Sequence, residues 1–233
     1  LAVGGESTRP QGAVPVDAEE EMRRVLPVVE AIRARFPEAI LSVDTVKASV
    51  AERALAAGAQ VVNDVSGFRL DARMGETCAR HRAGVILMHS RGAVHDMATF
   101  AHASYDDGVV AEVRRELADS LERARTAGIA DDAVVLDPGI GFAKRAEHSL
   151  AVLGGLGELA SLGRPLLVGV SRKRFIGEIT GVTTPADRIH GTTGANVAAL
   201  GAGARLFRVH DVRAAREALD VAWAVLRAAG APA

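Results

Sequence analysis

Apolar positions along this chain follow two spacings. Short runs such as Val134-Val135-Leu136 are continuous and rich in β-branched residues, which favours strands. Between them apolar residues recur every three or four positions, the spacing of one helix face. The first such stretch opens at Asp17, an N-cap residue type. Glu19, Glu20 and Glu21 follow in the first turn, where the helix dipole favours negative charge. It continues through Met22, Val25, Leu26, Val29 and Ile32, with Pro27 inside it as an expected bend. The spacing predicts further helices over 47–57, closed by Gly58, and more weakly over 71–82. Another covers 106–127, with Val109, Val113, Leu117, Leu121 and Ala124 on one face and Gly128 at its end. Residues 147–162 read as a helix interrupted by Gly154, Gly155 and Gly157. The last two helices are 185–202, with Pro185 in the first turn, and 212–229. Residues 90–104 show no period and read as a long loop, which in a compact domain is usually functional or disordered.

Strands are expected to end at Val3, Val43, Val62, Leu87, Leu136, Val170 and Val209. Strand and helix alternate throughout, which means parallel pairing with helical crossovers and an α/β fold. No linker or shift in composition divides residues 1–233, so one domain is expected. A closed barrel of this kind needs eight strands and seven are counted, so the missing unit would precede Leu1.

Composition narrows the picture. Hydrophobic residues make up 48% of the 233, as in a globular protein, and aromatics only 3%, so Ala, Val and Leu must fill the core. A formal net charge of -1 gives no case for nucleic acid or an anionic membrane as partner. No apolar run approaches the ~18 residues of a membrane span. The single cysteine, Cys78, cannot form an internal disulfide. It suits a reducing compartment and reads as a small apolar core residue.

Chemistry concentrates where strands run out into loops: Asp44, Asn63, Met88, Asp137, Lys173, Arg208 and His210. In a parallel barrel these ends converge on the face where catalysis occurs. Two carboxylates, an amide and a lysine can hydrogen-bond the edge of a flat heterocycle, and Met88 can pack on its face. Arg208 and His210 suit an anion such as phosphate. Each residue has a plain alternative. Asp44 could cap the 47–57 helix and Asp137 the helix after its loop. Asn63 and Asp64 could be turn residues, Met88 and His89 core, and Arg208 and His210 a solvated strand end. Capping explains any one of these more easily than it explains polar residues at every corresponding place.

Seven segments carry a resemblance. They are Gly4-Gly5-Glu6-Ser7-Thr8-Arg9-Pro10, Ser42-Val43-Asp44-Thr45, Val62-Asn63-Asp64-Val65-Ser66-Gly67, Leu87-Met88-His89, Asp137-Pro138-Gly139-Ile140-Gly141-Phe142, Ser171-Arg172-Lys173-Arg174-Phe175-Ile176-Gly177 and Arg208-Val209-His210-Asp211. In content and order they resemble the dihydropteroate synthases. The resemblance implies a (β/α)8 TIM barrel and a cytoplasmic enzyme of folate biosynthesis, homodimeric through its late helices. It implies condensation of 6-hydroxymethyl-7,8-dihydropterin pyrophosphate with 4-aminobenzoate, with Mg2+ assisting. By matching motif, Asp44, Asn63, Asp137 and Lys173 would bind the pterin, and Met88 would line its pocket. Arg208 would stack on the pterin and bind the pyrophosphate with His210. Thr8 and Arg9 would close over the anion and the second substrate. Phe142, Lys173 and Arg174, with Ser171 nearby, would shape the aminobenzoate slot.

The family's first strand, with an Asn-Val-Thr-Pro-Asp-Ser-Phe type motif whose Asn helps hold Mg2+, has no counterpart between Leu1 and Ala233. The expectation is therefore a barrel lacking strand 1 and its helix, no metal ligand within these residues, and weak or no activity from this stretch alone. Ala143 stands where many members have Gly or Ser. Two other readings compete: the pterin-binding domain of a folate-dependent methyltransferase, and a non-catalytic pterin-binding paralogue. The Gly-Glu-Ser-Thr-Arg-Pro and Ser-Arg-Lys-Arg-Phe loops favour the synthase, since they suit an anion and a second substrate.

Overall fold

The structure is a computed structural model that describes residues 1–8 and 14–230. Its seven strands are β1 Ala2–Gly4, β2 Ser42–Asp44, β3 Val61–Asp64, β4 Gly84–Met88, β5 Val134–Asp137, β6 Leu167–Val168 and β7 Leu206–Phe207. Nine helices accompany them among the described residues: α1 Ala18–Arg35, α2 Ala48–Ala56, α3 Met74–Arg80, α4 Val109–Thr126, α5 Ala146–Gly154, α6 Leu156–Ala160, α7 Arg174–Thr180, α8 Ile189–Gly201 and α9 Val212–Ala228. Every strand pairing is parallel, β1 to β5 form one sheet in chain order, and β6 pairs with β7. A single parallel bridge between Leu136 and Leu166 joins the two sheets. Seven consecutive strands thus stand side by side, as staves of a barrel do. Among the described residues no ladder connects β7 back to β1.

Residues of the inner strands β3 to β6 are mostly buried on both faces, as expected where helices cover a parallel sheet, while β1 and β7 are more exposed. Val43, Val62, Leu87, Leu136 and Val168 are fully buried. The helices add one apolar stripe each. In α4 the predicted face of Val109, Val113, Leu117, Leu121 and Ala124 is the buried one. Asp17 caps α1 by accepting from the Glu20 N–H at 2.8 Å. At Gly58 the chain leaves α2 with φ +112, a left-handed conformation that glycine adopts without strain.

Some elements differ from expectation. The 185–202 helix is a 3-10 turn at Pro185–Asp187 followed by α8. Proline's fixed φ suits that turn, but the regular helix starts only at Ile189. The helix α7 carries no recognised start signal: Lys173 at its N-cap makes no side-chain cap bond. Burial of Phe175 and Ile176 holds it in place. The Gly-rich 147–162 stretch breaks at Gly155 into α5 and α6. Asp106 and Asp107 lie in a turn before α4, whose N-cap is Gly108.

Candidate active site at the carboxyl ends of the strands

Strand register sets the first neighbours. Asp44 pairs with Asn63 across β2 and β3, and Met88 with Asp137 across β4 and β5. Arg208, just beyond β7, reaches over the mouth to Asp44, with Nη1 2.7 Å from Oδ2. The late end of the strand series therefore closes onto its early end through side chains. Lys173, at the start of α7, holds its ammonium 4.3 Å from the centroid of the Phe142 ring. The charges of Asp137, Lys173 and Arg208 all act on one another. Five predicted residues from five strand ends, Asp44, Asn63, Asp137, Lys173 and Arg208, are brought to one place.

The plain alternatives are decided residue by residue. Asp44 does not cap α2. The Ala48 N–H donates to Asp71 Oδ2 at 2.9 Å and the Lys47 N–H to Thr45 Oγ1 at 3.1 Å. Asp64 is the turn residue, accepting from the Ser66 N–H and hydroxyl at 2.7 Å each and from the Phe68 N–H at 3.2 Å. Asn63 is not. It is buried, and at ordinary hydrogen-bond geometry neither its amide oxygen nor its nitrogen finds a protein partner, although it lies beside Asp44 and favours that carboxylate's charged form. Asp44 Oδ1 is likewise unpartnered. A buried unpaired polar group costs about 1–3 kcal/mol, so two together mark a place for a ligand's polar edge.

Burial tunes these groups. The Asp44 and Asp137 carboxyls are raised above their ordinary range mainly by desolvation, with Arg208 pulling both back. The Gly139 N–H donates to Asp137 Oδ1 at 2.8 Å and helps hold it charged. Lys173 is pushed down to about 8 by burial against the pull of Asp137. Carboxylates of raised basicity and a weakened ammonium are good partners for a neutral heterocycle, which offers N–H donors and a carbonyl in one plane.

One wall is apolar and separate from the main core. Val46, Val65, Met88, Met97, Ala98 and Phe142 pack together, with Val94 against them. Met97 and Ala98 come from the aperiodic 90–104 stretch, so that loop builds part of the wall. Thr8 lines a small cavity of about 50 Å³ with Asp44, Thr45, Val65 and Arg208. Ser171 Oγ lies 2.8 Å from His210 Nδ1 and accepts the His210 N–H at 3.2 Å, so Ser171 orients His210. The adjacent Arg172 pairs with Asp211 at 2.7 Å and ties the same two loops. Arg174 sits at the rim, its guanidinium 4.0 Å from the Phe100 ring centroid and 3.2 Å from Glu178. Arg9 lies outside the described residues.

Metal binding has a weaker footing. Among the described residues no group of three His, Cys, Asp or Glu side chains is placed to hold an ion. Of the nearby carboxylates, Asp44 pairs with Arg208 through one oxygen, and Glu6 and Glu21 pair with Lys47. No step of the reaction is assigned to a metal ion.

Two charged clusters were not foreseen. Lys47 lies 2.7 Å from Glu6 and 2.6 Å from the fully buried Glu21. Glu21 falls four and eight positions before Val25 and Val29, so helical spacing alone places it on the buried face. Lys144 is the other case. It is 1% exposed and lies 2.8 Å from His89 Nδ1. It sits in a loop, where no periodicity could reveal its burial.

The chain is similar to known proteins. Residues 1–210 match the pterin binding enzymes. A dihydropteroate synthase from Synechocystis is 42% identical over 97% of this chain and 77% of its own length. The chain belongs to the dihydropteroate synthase family. A dihydropteroate synthase structure from Thermus thermophilus, in complex with 4-aminobenzoate, superposes with a TM-score of 0.88 at 50% identity, over 97% of this chain and 83% of that one. The Xanthomonas albilineans dihydropteroate synthase in complex with 7,8-dihydropteroate gives 0.83 at 40% identity, over 95% and 78%. The seven parallel strands among the described residues share the architecture of these structures. Among the described residues no helix is long and apolar enough to cross a membrane.

Proposed function

We propose that this chain condenses 6-hydroxymethyl-7,8-dihydropterin pyrophosphate with 4-aminobenzoate, giving 7,8-dihydropteroate and pyrophosphate. The observation that carries the reading is the meeting of Asp44, Asn63, Asp137, Lys173 and Arg208 at the strand ends, with the Asn63 amide and one Asp44 oxygen unpartnered. The pterin's amino group and ring N–H donate to Asp137, Asp44 and Asn63, and its carbonyl and ring nitrogen accept from Asn63 and Lys173. Met88 and the apolar wall receive its face. On the other face Arg208 moves from Asp44 to stack and to meet the pyrophosphate.

The bond from the pterin methylene carbon to oxygen breaks, and its electron pair leaves with pyrophosphate. Arg9, Arg208 and His210, the last held by Ser171, stabilise that charge as it develops. The fixed pterin tolerates the positive charge left on the methylene. The aminobenzoate nitrogen then forms the new C–N bond and releases a proton. That amine needs positioning more than a strong base, and Phe142, Lys173 and the neighbouring Arg174 provide the slot, with Thr8 at its entrance. The 4-aminobenzoate and 7,8-dihydropteroate held by the two related structures support both halves of this reading. A homodimer and a cytoplasmic setting follow from the family resemblance and belong to the same proposal.

Calorimetry with the pterin pyrophosphate and an assay of pyrophosphate release test it. The expected result is pterin binding lost in Asp137→Ala, and release that requires 4-aminobenzoate. Release without the amine, or no pterin binding at all, would overturn the synthase reading.

A further inference from the structure

Lys144 belongs to none of the groups that touch either substrate in this scheme, yet it is among the largest fully buried side chains of the protein. It lies just after the loop that leaves β5, the loop with Asp137 at one end and Phe142 at the other. Its Nζ turns back into that loop. It donates to the Gly139 carbonyl at 3.2 Å and to the Phe142 carbonyl at 3.1 Å, and meets His89 Nδ1 at 2.8 Å. An ammonium has three hydrogens and here finds three acceptors. A neutral amine would have two hydrogens for these three acceptors, because His89 Nε2 faces Glu116 and leaves Nδ1 as the acceptor. His89 is itself backed by Glu116, whose Oε2 lies 3.0 Å from Nε2, and Arg91 Nε donates to Glu116 at 3.0 Å.

The rest of the loop leaves it little freedom to curl in any other way. The Phe142 N–H donates to the Gly139 carbonyl at 3.0 Å, and the Ala143 N–H to the Met97 carbonyl at 2.8 Å. The Tyr105 hydroxyl donates to the Ala143 carbonyl at 2.9 Å. Gly139 has φ +64 and packs so closely on the His89 carbonyl that a Cβ there would lie 1.9 Å from its oxygen. Asp137 is held differently, by the β4–β5 ladder and by the Gly139 N–H. The lysine therefore ties the Gly139 and Phe142 carbonyls together, and it reaches Asp137 only through its charge and through Gly139.

We propose that Lys144 is a positioning residue for the arylamine slot, clamping the loop after β5 so that the Phe142 ring stands over Lys173. This rests on the synthase reading, and it weights the two substrates unequally: the clamp serves chiefly the amine, while pterin recognition rests mainly on the strand ends.

The test compares wild type with Lys144→Met and Lys144→Gln. The methionine keeps the length and removes the donor, and the glutamine keeps a donor to one carbonyl. Pterin pyrophosphate affinity is read by calorimetry, and KM for each substrate from initial rates. The expected result is a KM for 4-aminobenzoate raised at least tenfold in Lys144→Met and by less in Lys144→Gln, with pterin affinity changed by less than threefold. Equal losses for both substrates would show a merely structural lysine and overturn the proposal, as would an unchanged amine KM. If Lys144→Met does not fold, the same comparison with Lys144→Gln decides. A wild-type protein that neither binds pterin nor turns over would instead refute the synthase reading, a failure distinct from these.

Discussion

At the scale of single residues, the site shows where stability has been given up for binding. Asn63 keeps its amide buried without a protein partner, and a designer concerned only with folding would replace it. Asn63→Ala is therefore expected to leave stability in urea unchanged or higher by about 1 kcal/mol, because the unpaired amide disappears. Pterin affinity should fall tenfold or more, because the ligand's polar edge then faces a methyl group. Urea unfolding and calorimetry on one sample give both numbers, and a loss of stability would show that Asn63 is a structural residue. Most of these residues were legible in the sequence because each follows an apolar run directly. Their pairing was not legible. Arg208 and Asp44 are 164 positions apart, and only closure of the strand series makes them neighbours. Asp71 shows the same limit, since its cap on α2 comes from a distant turn.

Elements were legible where periodicity was strong and illegible where tertiary contacts replaced local signals. The α4 face was read correctly from spacing. The short α7 was missed because it has no capping side chain and is held by Phe175 and Ile176 below it. Between α1 and α2 the decisive contact is electrostatic: Glu21 is buried on α1 and meets Lys47 at the N-cap of α2. The two carboxylates facing it hold the Lys47 ammonium above its ordinary range against the cost of burial. Lys47→Met leaves the Glu21 carboxylate buried and uncompensated, an arrangement that costs about 3–5 kcal/mol. Chemical denaturation should show a loss of that size. The double variant Lys47→Met with Glu21→Leu should recover most of it, and a single variant as stable as wild type would show that the pair carries no net stabilisation.

At the scale of the whole molecule, two lysines have their charges disfavoured, the fully buried Lys144 pushed down to about 7 and the half-buried Lys173 to about 8, each mainly by burial. In the unfolded chain both titrate near 10.5. Above pH ~7 the unfolded chain therefore binds more protons than the folded one, and stability rises with pH wherever that holds. The penalty for burying these charges is full below pH ~7 and is relieved up to about pH 10. The raised carboxyls Asp44, Asp64 and Asp137 act in the opposite sense, losing stability as pH rises through their folded values. Between pH 7 and 9.5 the unfolding free energy of wild type should gain on that of Lys144→Met by on the order of 1–3 kcal/mol. Denaturant titrations at the two pH values check this, and parallel curves would mean that Lys144 titrates normally in the folded state.

The sequence by itself determined the alternation of strand and helix, the parallel sheet, the core faces and the family, because hydrophobic spacing and contiguous motifs are local properties of the chain. Its strand-end polar residues also named most of the candidate site. Only the tertiary structure decided which of those residues touch. It drew Arg208 to Asp44, set Ser171 behind His210, turned Arg174 out to Phe100 and buried Lys144 beneath the Phe142 loop. The physical reason is common to all four: a side chain's partner across a barrel mouth is fixed by strand order and loop closure, and neither is encoded in the spacing of its own neighbours.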